Sequence, residues 1–227
     1  MNPNLPYLME EICSGIEIYY TGRRGGQYLK TAFILCDDYT ELTSKLFLLD
    51  DNPNWSDTKT NGRFKNYRDI LQDVRNVIQT NRPADIPTLQ RLQMAMQNRR
   101  TRRNDFFHST NLLDLSVTPR ICVESFCDLL DYGELLFGQS WLDAMNDTRN
   151  LDTFATLLRL EKKSFSDPSI TSKVDNIFAE QQCANWRWVK PKAPQGIQLV
   201  QNGEDMHLRV SVIFGGQDLA KKLKNLL

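Results

Sequence analysis

Apolar residues recur at intervals of three and four through most of the first 180 positions, the spacing that lays one helix face against a core. From Gln27 to Asp50 the series Leu29, Ala32, Phe33, Cys36, Tyr39, Leu42, Leu46 and Leu49 predicts one long helix, stopped by Asp50-Asp-Asn-Pro-Asn54. Residues 52–62 are polar and rich in turn formers, a loop. A second helix is predicted from Arg63 to Thr80, with Tyr67, Ile70, Leu71, Val74, Val77 and Ile78 on one side. A third begins near Asp85-Ile-Pro87, which supplies a cap and an early proline, and carries Leu89, Leu92 and Met96. A fourth runs from Thr118-Pro119 to Met145, interrupted in composition by Gly133 and Gly138. Shorter helices follow over Asp152–Lys163 and Ile170–Gln182.

The pattern changes after that. Ile197 and Leu199, then Leu208, Val210, Val212 and Phe214, alternate around Asn202-Gly203, the signature of a β-hairpin. A lysine-rich amphipathic tail, Leu219 to Leu227, ends the sequence. The expected architecture is mainly α: an up-and-down helical bundle over residues 1–150, with an N-terminal arm over 1–26, then a small α+β appendage over 151–227 containing the hairpin. Met1 to Tyr20 reads as a short helix or an arm.

Composition narrows the function classes. The 28 basic and 28 acidic side chains balance to zero, which excludes coating nucleic acid through bulk charge and leaves a local basic patch as the means of any such contact. Met1 to Glu11 lacks the basic start and apolar run of a signal peptide, and no apolar stretch is long enough to cross a membrane, so a cytoplasmic protein is expected. Cys13, Cys36, Cys122, Cys127 and Cys183 form no C-x-x-C pair and read as buried thiols rather than metal ligands. No cofactor motif is present. Thr21-Gly-Arg-Arg-Gly-Gly26 lacks the Lys-Ser/Thr of a phosphate-binding P-loop and reads as a hinge.

Chemistry concentrates in one place. Arg99, Arg100, Arg102 and Arg103 are the densest cationic cluster, and Asn104 and His108 follow directly. Arg99 and Arg103 continue the spacing of Leu89, Leu92 and Met96, so on a continuous helix they extend the inward stripe. Charges aimed inward have a partner or a task. The alternative is a helix that emerges from the bundle here, with its arginines in solvent. On one straight helix Arg103 and His108 sit roughly 140° apart. They can cooperate only if the helix breaks between them, which Asn104 and Asp105 favour, or if a second chain supplies the other half. The other histidine, His207, falls on the polar side of the expected hairpin and reads as a surface residue.

Arg103-Asn104-Asp105-Phe106-Phe107-His108 resembles the signature of the HEPN superfamily, an Arg separated by four to six residues from a His and often followed by a polar residue. Arg103 fits with four intervening residues and Arg102 with five, so both stay open as the motif arginine. The helix order over residues 27–145 is similar too, and the acidic run Asp37-Asp38-Tyr39-Thr40-Glu41 resembles the first long HEPN helix. The resemblance implies a metal-independent endoribonuclease without cofactor, working as a homodimer whose two motifs form a composite active site. His108 would be the general acid/base, Arg103 the phosphate ligand and Asn104 an orienting group. Arg99, Arg100 and Arg102 would bind the RNA, with Asp37, Asp38 and Glu41 as site neighbours. The implied setting is a toxin with a partner antitoxin, or an antiviral defence effector. Those residue types suit the chemistry: histidine ordinarily titrates near neutrality, and arginine pairs bidentately with phosphate. Phe106 and Phe107, and the Asn185-Trp-Arg-Trp188 segment, could stack bases but suit packing better. Two rivals stand beside this reading: a non-catalytic HEPN-like module that binds RNA, a nucleotide or a protein, and a helical interaction protein with a fortuitous motif.

Overall fold

The computed structural model describes residues 2–21, 26–108, 117–148, 151–180, 186–188, 197–199 and 217–227. The opening segment is a core element and not an arm. Helix α1 (Leu5–Thr21) places Leu5, Met9, Ile12 and Ile16, spaced four, three and four apart, in the interior. It packs along α2 (Gly26–Asp51), the longest helix, which also touches α3 (Tyr67–Asn81), α4 (Ile86–His108) and α5 (Pro119–Phe137). The α2 stripe departs from its sequence reading at two positions. Leu42 and Leu49 are 45% and 38% exposed, and Phe47 and Leu48 are buried instead.

The second predicted helix starts four residues late. Asn66 caps α3 by accepting from the Asp69 amide, and the Asp69 carboxylate accepts from the Asn66 amide, a reciprocal box that fixes the first turn. Residues 57–65 form a tight loop ahead of it, with Thr58 bridged to Phe64 and Gly62 at φ 77°. Ion pairs from Lys45 to Asp57, Lys59 to Asp69 and Lys65 to Asp73 pin that loop to the bundle. A single 3-10 turn, Pro83–Asp85, links α3 to α4. The Arg82 guanidinium beside it donates to the Leu135 and Leu136 carbonyls at the end of α5.

The fourth predicted helix is two helices, α5 and α6 (Gln139–Asp147). Gly138 adopts φ 57° between them, a conformation that favours glycine, and its amide closes the last turn on the Glu134 carbonyl. Gly133 serves packing instead: the Trp141 indole lies where a Cβ would stand, and Trp141 is buried. Gly133→Ala should therefore lower stability by about 1–3 kcal/mol, read as a drop in urea midpoint at unchanged slope. A midpoint equal to wild type would show that the indole moves aside freely.

The expected boundary near residue 150 falls between α6 and α7 (Leu151–Ser164), and one apolar cluster runs across it. That cluster joins α1, α2, α5 and α6 to Phe154, Leu157 and Leu158 of α7, Ile170, Val174 and Phe178 of α8 (Ser169–Glu180), and Leu223 of α9 (Gln217–Lys224). A second cluster lies between α2, α3, α4 and α5, around Ile70, Val74, Leu89, Leu92 and Tyr132. The fold is thus mainly a helical bundle. The predicted hairpin is not what the described residues contain. Ile197–Leu199 pairs antiparallel with Trp186–Trp188, and Asn202-Gly203, His207 and the expected second arm lie outside them. Most of the Thr21–Gly26 turn and Cys183 also lie outside. Cys13, Cys36, Cys122 and Cys127 are buried and unbridged, and burial pushes the Cys13 and Cys127 thiols up to about 12. Among the described residues no helix is long and apolar enough to cross a membrane.

Candidate functional site

Helix α4 carries its apolar stripe through Leu89, Leu92 and Met96, all buried, and then keeps the same spacing with charges. Its side chains beyond Met96 meet carboxylates from two neighbouring helices. Arg99 Nη1 lies 2.8 Å from Asp128 Oδ2 on α5, and Lys162 of α7 approaches the other Asp128 oxygen at 3.5 Å. Arg100 turns to α2, with Nη1 3.0 Å from Asp37 Oδ2 and Nη2 2.7 Å from Glu41 Oε2. Its guanidinium also stacks 4.5 Å from the Tyr67 ring centre at the start of α3. Arg103 Nη2 reaches Asp38 Oδ1 at 2.9 Å, and its Nε stands 3.6 Å from Asp37 Oδ2. Lys45 completes the set, 3.0 Å from Glu41 Oε1.

The sequence reading places Asp37, Asp38 and Glu41 beside Arg100 and Arg103, and the structure brings these five together. It sends Arg99 to α5, away from that group, and leaves Arg102 exposed without a partner among the described residues. Solvent therefore takes one arginine of the cluster, not all four. The expected break after Arg103 is absent: α4 continues through Asn104 and Asp105 to His108. Neither Asn104 nor Asp105 caps a helix here, because the helical backbone passes through both. The His108, Phe106 and Phe107 side chains lie outside the description. In helical register His108 stands roughly 140° from Arg103.

Burial governs the electrostatics. The Asp37 side chain is only 3% exposed, and this desolvation pushes its carboxyl up to about 6, although Arg100 and Arg103 pull the other way. Glu41 responds oppositely. Burial works to raise it, but the Lys45 hydrogen bond and the Arg100 charge outweigh burial and hold it below the usual carboxylate range. Asp38 is 43% exposed, so its pairing with Arg103 faces water and is open to exchange.

Beside these pairs lies an open cleft of about 680 Å³ between α2, the start of α3 and the last turns of α4. Glu41, Tyr67, Arg100 and Asn104 are among its walls, so three of the expected site residues share one concave surface. Sequence reasoning missed Asp128, Tyr67 and Lys162. Asp128 had a signal: it interrupts the apolar run Phe126-Cys127-Asp128-Leu129-Leu130 on a helix otherwise aimed at the core. A second buried carboxylate was also missed. Glu161 on α7 is 2% exposed and accepts from the Tyr19 hydroxyl at 2.6 Å.

No protein-family model matches this chain, and no curated protein and no solved structure is detectably similar to it.

Proposed function

We propose that this chain is a HEPN-like, metal-independent endoribonuclease that works as a cytoplasmic homodimer, in a toxin or antiviral defence setting with a regulating partner protein. The observation that supports it best is the meeting of Asp37, Asp38 and Glu41 with Arg100 and Arg103 beside a cleft that Asn104 enters, at the end of the helix that carries His108. In the proposed step the 2′-oxygen of the RNA bonds to the adjacent phosphorus and the bond to the 5′-oxygen breaks. The His108 imidazole takes the hydroxyl proton and, as imidazolium, gives a proton to the departing oxygen, and the product ends in a cyclic phosphate. Arg103 meets the phosphate oxygens bidentately once they displace the half-exposed Asp38, and Asn104 orients the phosphate.

Cleavage of RNA in EDTA by wild type and His108→Ala tests this. The variant should lose about 10²–10⁴ in rate. Arg103→Lys should stay impaired, since a point charge does not replace a planar fork. Equal rates for His108→Ala and wild type, or cleavage that needs a divalent metal, would overturn the reading.

One observation favours a second reading, a non-catalytic HEPN-like module that binds RNA, a nucleotide or a protein. Arg99, Arg100 and Arg103 are each held by carboxylates, as ties between helices are. In that case binding survives in both variants and no RNA is cut.

A further inference from the structure

Three of the four arginines expected to receive RNA are occupied by carboxylates, so apart from Arg102 the cations available to an anionic ligand lie elsewhere. The cleft beside Arg100 does not end at α4's last turns. A second hollow of about 390 Å³ lies between α3 and α4, and Arg68 and Gln97 form walls of both. The two hollows adjoin at Arg68 and Gln97 and are taken together as one groove along α3 and α4. Arg68 is exposed, and no carboxylate pairs with it among the described residues. Arg75, farther along, has no ion pair there either, and its Nε is buried without a hydrogen-bond partner. Lys65 and Arg100, also on its walls, are held by Asp73 and by Asp37 and Glu41, so Arg68 and Arg75 are the wall cations with no ion pair among the described residues.

The neutral part of the wall has its own chemistry. Gln97, Asn98 and Asn104 present side-chain amides, each a donor and an acceptor in one plane, the pairing that base edges match. An acidic peptide would meet the Glu41 carboxylate unfavourably. One residue from Lys65, Phe64 stands 78% exposed on the loop that three ion pairs tie to its neighbours. A large aromatic in water beside a cationic groove is a stacking surface for an unpaired base.

We propose that the groove between α3 and α4 is the track for single-stranded RNA, with Arg68 and Arg75 on phosphates, the α4 amides on base edges and Phe64 stacking a base at its rim. The track rests on the ribonuclease reading for what happens at its α4 end, and on its own geometry for binding.

The test uses the full chain and a fluorescent single-stranded RNA whose 2′-hydroxyls are methylated, so that binding is read without cleavage. Anisotropy titrations should show binding that falls about tenfold or more in the Arg68→Ala/Arg75→Ala double variant, with the slope of log affinity against log salt reduced by about 0.7 per arginine. Phe64→Ala should weaken binding several-fold and leave that slope unchanged. Arg68 and Phe64 are exposed and Arg75 makes no ion pair among the described residues, so circular dichroism and thermal melts should stay close to wild type, and they are compared before the titrations are read. Unchanged affinity in the double variant overturns the track. So does polyglutamate binding as tightly as RNA with the same sensitivity, which would mark a general anion groove. Binding that depends on Arg68 and Arg75, in a protein that cuts no unmodified RNA, sustains the track and removes the ribonuclease reading. Cleavage with unchanged affinity in the double variant does the reverse.

Discussion

Glu161→Gln should remove the fall in stability with rising pH across the window from about 6 to about 8, part of a loss on the order of a few kcal/mol in the wild type, and leave the fall below about 6 that Asp37 contributes. Glu161 sits in the core between α7 and α1, and burial raises its carboxyl from 4.5 to about 8. The hydrogen bond from Tyr19 opposes that rise without cancelling it. The folded chain therefore keeps a proton on Glu161 that the unfolded chain has released. Its contribution is complete below 4.5, shrinks as pH rises and is gone above about 8. A few kcal/mol is a large share of the 5–15 kcal/mol typical of a domain. Glutamine keeps an acceptor for the Tyr19 hydroxyl and has no proton to lose. Urea unfolding across the window reads the difference. Parallel pH profiles for the two proteins would show that Glu161 is ionised in the fold and paired by a group outside the described residues.

Glu161 also marks where sequence reasoning stopped. On α7 it stands among Leu157, Leu158 and Leu160, inside an amphipathic repeat, but a carboxylate near a helix end is ordinarily solvated, and only the three-dimensional position of Tyr19, 142 residues away, shows otherwise. The elements built on long apolar repeats were legible: α2, the body of α3, and α4 and α5 fall where the three-and-four spacing puts them. The inward course of Arg99 and Arg103 was legible for the same reason, since a helix carries its stripe forward whatever occupies it. Their partners were legible only in part. The acidic run on α2 stood out as a cluster, and Asp128 was hidden as a single residue in an apolar helix. Terminators misled in both directions. Asn104 and Asp105 promised a break that propagation of α4 overrides, and Gly138 looked like a blemish but ends α5 with a positive φ. Local propensities near 1 kcal/mol decide such points only when packing is indifferent.

Mixing Arg103→Ala protein with His108→Ala protein should restore RNA cleavage that neither performs alone. Helix α4 is uninterrupted from Arg103 to His108, so in register the two positions stand roughly 140° apart around its axis. The Arg103 guanidinium is turned to Asp38 and Asp37 on α2. A single phosphate cannot readily meet groups on such different sides of one helix, whereas two copies related by a two-fold axis can each lend one of them. Under the proposed function, a mixed dimer of the two variants then holds one complete site and one doubly defective site. Random exchange makes about half of all dimers mixed, so about a quarter of wild-type activity should return. Wild type mixed with the Arg103→Ala/His108→Ala double variant provides the converse. Composite sites in those mixed dimers each lack one group, so activity falls to about a quarter, whereas sites confined to one chain would retain about half. No recovery in the first mixture together with half activity in the second would place Arg103 and His108 in the same chain's site, and the end of α4 would then have to unwind when RNA binds.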